Sequence, residues 1–306
     1  MNYSIKIIIV YFGNTPAWLP YFIESCRWNP SISWLIYGDL EFDPEGETGS
    51  NLRFEKATLS EFEARIQEKL TISTQFYNPY KICDFKPVYG LLFSEYLEGY
   101  DYWGYSDLDI LYGNFRDYLP ENPEYDIITT GSGYLSGHFT LYRNNPDLLN
   151  LYRKIWKINK RLSDHSRLYY LDELSNFIGI RFSRTDGQAF RKSGSLSVRV
   201  INSLRYRLLK RLPLKYDITK VVEHMQKKHG LRLFRCHDHL SDEDLLKQQK
   251  VTWHLEWKKG RLIDLDSGAD IFYFHFLKTK NTLETGEKGR TASFVITEKS
   301  IYDPLS

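Results

Sequence analysis

Tyr102-Trp103-Gly104-Tyr105-Ser106-Asp107-Leu108-Asp109-Ile110 is the stretch on which the reading of this chain turns. An aromatic, β-prone run over 102–108 predicts a buried strand, and two carboxylates two positions apart close it. In a strand, residues i and i+2 share a face, so Asp107 and Asp109 are expected to point the same way, roughly 7 Å apart along the backbone. Like charges that close repel unless a cation lies beside them. A hard divalent ion held by one or two carboxylates and completed by substrate phosphates is the arrangement that magnesium and manganese favour. On its own an Asp-x-Asp triplet is a weak signal, and a solvated strand end is the bland alternative.

Outward from the triplet, the first half of the chain alternates strand and helix. Strands are predicted at 5–12, 33–37, 52–56, 126–129 and 139–142. A helix is predicted from Thr15-Pro16 to about Arg27, with Pro at its first position. A second runs to about Leu70 from a capping box of Ser60 and Glu63. Helix is also expected over 81–97, starting near Lys86 because of Pro87, and over 146–158. This alternation argues for an α/β fold with a central, mainly parallel mixed sheet flanked by helices, read as a single domain over 1–306. The acidic pair then falls at the carboxyl end of a strand, where open α/β sheets bind ligands.

The second half is plainer. A basic, helix-prone segment covers about 204–228, a hairpin spanning 251–266 turns at Lys259-Gly260, and an aromatic strand covers 271–276. Residues 279–291 are polar and are expected to be mobile.

The 306 residues are 42% hydrophobic and 26% charged, with a formal net charge of +2. A chain of that length buries a sizeable core, and so small a charge excess argues against nucleic acid as a partner. Aromatics reach 16%, with 23 Tyr and 18 Phe, rings that serve sugar and base stacking as well as cores. Cys26, Cys83 and Cys236 form no disulfide framework, which fits a reducing cytoplasm. The run Ile7-Ile8-Ile9-Val10 is too short to span a bilayer and lacks a signal-peptide layout. Cys236-His237-Asp238-His239 has no nearby complement for a tetrahedral set, so no zinc site is expected.

Four motifs, Lys81-Ile82-Cys83-Asp84-Phe85-Lys86-Pro87, Trp103 to Asp109, Ser136-Gly137-His138-Phe139 and His275-Phe276, carry a resemblance. The chain resembles GT-A glycosyltransferases, and more closely a bacterial family assigned to that class. The resemblance covers nearly the whole chain, with 185–250 adding little. It implies a GT-A fold whose nucleotide-sugar-binding half is 1–130 and whose acceptor half is 131–306. It also implies a metal-dependent transfer of sugar from a nucleoside diphosphate, UDP first, to a glycan or lipid-linked acceptor hydroxyl. By its implication Asp107, Asp109 and His275 are metal ligands, Asp109 directly and Asp107 through water unless it holds the ribose or donor sugar instead. The His nitrogen favours manganese over magnesium. Asp84 and Lys86 would contact the donor's ribose or sugar, and Gly137-His138 would line the acceptor or donor-sugar side, with a structural role for His138 as the alternative. The strand before the acidic pair is aliphatic in better-known relatives of this class and aromatic here, which leaves donor sugar and stereochemical outcome open.

Further candidates follow from position. Lys278, just past the last aromatic strand, could meet a diphosphate as a point charge, or be a solvated lysine. Tyr11 and Asp39 end the first two strands, where base or ribose contacts compete with packing and a plain turn. Asp172-Glu173, at an expected helix start, could face the acceptor hydroxyl or simply favour the helix dipole. The basic 204–228 segment could lie on the inner face of a membrane or be a solvated helix face. The rival functions are a nucleotide-sugar or carbohydrate-binding protein without catalysis, and an Asp-x-Asp phosphohydrolase. The latter is disfavoured because the pair does not follow the first strand and Ile110-Leu111 come next.

Overall fold

The computed structural model describes residues 2–41, 51–130, 135–155, 157–172, 230–236, 239–250, 252–286 and 293–303. Glu173, the 204–228 segment and two of the four residues of the Cys236–His239 run lie outside them. The fold is mixed α/β, with helices on both faces of a large sheet.

That sheet begins with β1 (Ile5–Tyr11), β2 (Ile32–Gly38), β3 (Leu52–Lys56) and β4 (Tyr102–Ser106), and continues with β6 (Ile127–Thr129), β7 (Phe139–Arg143) and β8 (Leu233–Arg235). Its order is β3-β2-β1-β4-β7-β6-β8. Neighbours from β3 to β4 are parallel, whereas β7 runs antiparallel to both β4 and β6. Alternation along β1 sorts its side chains. Ile5, Ile7 and Ile9 pack with Phe22 and Cys26 of helix α1 (Leu19–Arg27), and Ile8 packs on the other face with Phe62 and Ile66 of helix α2 (Leu59–Leu70). A three-stranded sheet of β5 (Ile110–Tyr112), β9 (Leu240–Ser241) and β13 (Tyr273–His275) sits beside it in the order β5-β13-β9. A third, six-stranded sheet contains the hairpin of β10 (His254–Lys258) and β11 (Arg261–Asp264), turning where predicted, at Lys259 and Gly260 with φ of 49° and 80°.

Most of the aromatic excess is core. Trp34, Trp103, Trp253, Trp257, Tyr102, Tyr105 and Tyr112 are fully buried. Trp103 stacks on Tyr142 at 4.7 Å between ring centres, so the aromatic strand is anchored to its antiparallel neighbour.

Several local expectations shift. Helix α1 starts at Leu19, with Pro20 rather than Pro16 in its first turn. The capping box before α2 is Thr58 with Glu61, two residues earlier than expected. Residues 79–88 form 3-10 helix, and 81–97 has only a short α-turn at Tyr89–Leu92, because Pro87 removes a donor in mid-run. Residues 146–162 are likewise broken into short turns. Most consequentially, β4 stops at Ser106 and β5 starts at Ile110, so the acidic pair lies in a break between strands and not within one.

Candidate metal centre

The break after Ser106 is where the chain leaves one sheet for another. Asp107 N–H donates to His138 O at 3.0 Å, extending the β4–β7 ladder of the large sheet. Two residues later Phe276 N–H donates to Asp109 O at 3.1 Å, extending the ladder of β5 with β13 in the small one. Each carboxylate is thus fixed to a different sheet, and the residue between is pinned as well. Trp18 Nε1–H donates to Leu108 O at 3.1 Å, and its ring meets Phe276 edge-on.

This turn lies between the carboxyl ends of β1 and β4, the point where successive connections diverge to opposite sides of the sheet and where ligands bind in folds of this kind. Tyr11 ends β1 here, close enough to Asp109 and Lys280 to feel their charges; burial raises its hydroxyl pKa. Its OH donates to Asn14 O at 2.9 Å. Gly38 ends β2 with φ of +153°, and a Cβ there would fall 1.7 Å from Tyr11 O, so only glycine lets these strand ends approach. Asp39, which follows, is exposed and accepts Gly13 N–H at 2.8 Å, the role of a turn residue.

One oxygen of Asp107, one of Asp109 and a ring nitrogen of His275 all lie within 4.8 Å of one another. Strand β13 brings His275 in. His275 Nε2 is 3.3 Å from Asp109 Oδ1, yet this buried nitrogen makes no well-aligned hydrogen bond. A buried polar atom left so is costly, and one aimed at two carboxylates suits an ion between them. Asp109 and His275 are 8% and 5% exposed. Burial opposes the charge of each, but contact with the other outweighs it: Asp109 is held well below the usual carboxylate range, helped by Lys280, and the His275 pKa is raised.

Two lysines bring positive charge to the pair. Lys86 Nζ donates to Asp107 Oδ1 at 2.5 Å and to Gly137 O at 2.6 Å, and lies 3.4 Å from Asp172 Oδ2. Burial opposes its charge, but Asp107, Cys83 and Asp172 hold it protonated. Lys280 Nζ donates to Asp109 Oδ2 at 2.6 Å. Asp172 belongs to the same wall: burial, countered by Lys86 and reinforced by Asp107, raises its carboxyl to about 6. Gly137 is small because of it, since a Cβ there would fall 2.5 Å from Asp172 Oδ2.

Behind the wall, Asp84 does not face the cleft as expected. It pairs with Lys81 at 2.7 Å, both residues buried, and accepts the backbone N–H groups of Tyr169 and Leu171, so its work is to hold the segment that presents Asp172. Lys278 is also displaced from its expected role: its side chain is exposed, 3.6 Å from Glu243, while Lys280 takes the place beside the acids. The reason is a turn. Buried Asp242 accepts the N–H groups of Lys278 and Thr279 and so directs position 280 inward. The expected mobile stretch therefore begins with a pinned turn.

His138 is half-buried, its Nε2 2.5 Å from Tyr273 OH, which donates to Thr130 Oγ1, and its ring 4.5 Å from that of His275. Burial and then His275 push its pKa well down, so it supports His275 as a neutral ring. Lys280, Trp18 and Tyr273 are the contributors that sequence reasoning did not select. Lys280 stood next to the chosen Lys278, but spacing without the Asp242 turn gave no means to rank the two.

The chain belongs to DUF6625, a family of unknown function whose model it matches over residues 7–304. No curated protein matches it. Among the described residues no helix is long and apolar enough to cross a membrane.

Proposed function

We propose that this chain is a divalent-metal-dependent glycosyltransferase with a GT-A fold, moving a sugar from a nucleoside diphosphate, UDP first, to the hydroxyl of a glycan or lipid-linked acceptor. The observation that carries the reading is the convergence of Asp107, Asp109 and the unsatisfied Nε2 of His275 within 4.8 Å at the strand ends. These three residues would hold the ion, manganese ahead of magnesium because of the imidazole. When bound, the ion supplies Lewis-acid neutralisation of the charge that builds on the departing diphosphate.

The chain's own groups account for the rest. Tyr11, at the end of β1, offers a ring to the base. Lys280 holds Asp109 in its charged form in the ion-free chain. Lys86 bridges Asp107 and Asp172 and offsets the repulsion between them. Asp172, ionised above about pH 6, would take the acceptor hydroxyl's proton as the new C–O bond forms and the sugar–phosphate bond breaks. Orientation and fixed charge thereby supply most of the rate. The motif resemblance supports assignment to bacterial surface-polysaccharide assembly at the cytoplasmic side of the membrane.

Incubation with a panel of nucleotide sugars, with and without MnCl2, tests the proposal. Manganese-dependent release of nucleoside diphosphate is expected, faster with acceptor present. Saturable binding of a nucleotide sugar without any release would support the carbohydrate-binding alternative instead.

A further inference from the structure

The acidic pair is already neutralised by lysines, and the two lysines are held very differently. Lys86 is 5% exposed and divides its ammonium among Asp107, Gly137 O and the nearby Asp172. Moving it out would strand the buried carboxylate of Asp172 and take the close partner from Asp107, whose side chain is 31% exposed. The Lys280 side chain is 30% exposed, and its hydrogen bond is to one acceptor, Asp109 Oδ2 at 2.6 Å. It extends from the turn that Asp242 fixes through the backbone of 278 and 279, so its side chain can swing while the turn stays.

We propose that Lys280 is a resident counter-ion of Asp109 that a divalent cation displaces on binding, whereas Lys86 stays in place. This rests on the metal-centre reading above and adds an exchange step to it. An ammonium 2.6 Å from Asp109 Oδ2 and an ion bound to the same carboxylate repel each other at close range, and of the two lysines the one with a single acceptor and a more exposed side chain is the one that yields. The exchange keeps the carboxylates charged and pre-positioned before the ion arrives, and sets the ion's affinity below what three bare ligands would give. The displaced ammonium emerges at the mouth of the site, on the solvent side of Asp109.

Titration calorimetry with MnCl2 alone tests this. Lys280→Met should bind Mn2+ about tenfold or more tightly than wild type, because a competing charge is gone. Lys280→Arg, which keeps the charge, should stay close to wild type. In the intact protein, Mn2+ should also increase acylation of the Lys280 amine, read by mass spectrometry, and leave Lys86 protected. Equal or weaker Mn2+ binding by Lys280→Met, in a wild type that does bind the ion, overturns the exchange and leaves the metal centre standing. So does an unchanged Lys280 reactivity. A wild type that takes up no Mn2+ overturns the metal centre and the exchange together.

Discussion

Asp107 and Asp109 are the same residue type two positions apart, yet they belong to different walls. Asp107 is tied to the large sheet and to a network of Lys86, Gly137 and Asp172, backed by the buried Lys81–Asp84 pair. Asp109 is tied to the small sheet, facing His275 and the half-exposed Lys280. The contrast teaches that two neighbouring carboxylates can be held by walls of different stiffness. On the proposed reading, an ion spanning them would take its geometry from the first and its exchange from the second.

Breaking the rigid wall from behind should have the largest effect. Asp84→Ala leaves Lys81 buried without its partner and frees the backbone at 169 and 171, so a loss of about 3–5 kcal/mol in urea unfolding is expected. A loss near zero would mean that the wall does not depend on this pair. On the exchange side, Asp109→Ala should lower manganese-dependent turnover roughly 10²–10³-fold while the circular dichroism spectrum stays as in wild type. Near-normal turnover there would remove the metal role.

Asp172 sharpens the comparison through pH. Its carboxyl rises from the ordinary 3.8 to about 6 in the folded protein, so the folded state binds more protons than the unfolded one between those values. The contribution of Asp172 to stability therefore falls as pH rises from about 4 to about 6 and is flat above. Asp172→Asn should stabilise the protein above pH 6, by on the order of 3 kcal/mol at most, with the gain fading toward pH 4. A gain independent of pH would show that burial of this carboxyl is not its cause. The smallest effect is expected at Lys278→Ala, within about 0.5 kcal/mol in stability, because an exposed pair with Glu243 contributes little. A marked loss of activity there would return the phosphate-facing role to position 278.

What the sequence made legible was local. The β-branched run of β1, buried on both faces, and the Lys259-Gly260 hairpin follow from residue type and turn chemistry, and each stands where expected. The acidic pair was legible as a pair but for the wrong geometric reason. A strand would have set Asp107 and Asp109 side by side, whereas a sheet change between them brings their oxygens toward His275. Sheet membership depends on pairing with β13, more than 160 residues away, and no local pattern reports that. The displacement of Asp84 has a similar origin. A carboxylate next to two lysines reads the same whether it faces a cleft or a buried backbone, and only the approach of Tyr169 and Leu171 decides. Lys280 was hidden by one turn, since buried Asp242 sets which of two lysines points inward.

The central claim is that Asp107, Asp109 and His275 grip one divalent ion. Anomalous diffraction at the manganese edge, from crystals grown with MnCl2, tests it most directly. The account predicts a single strong peak within coordination distance of all three side chains, lost in crystals of Asp109→Asn. A map with no peak at that position, or an ion elsewhere with these side chains unmoved, would contradict it.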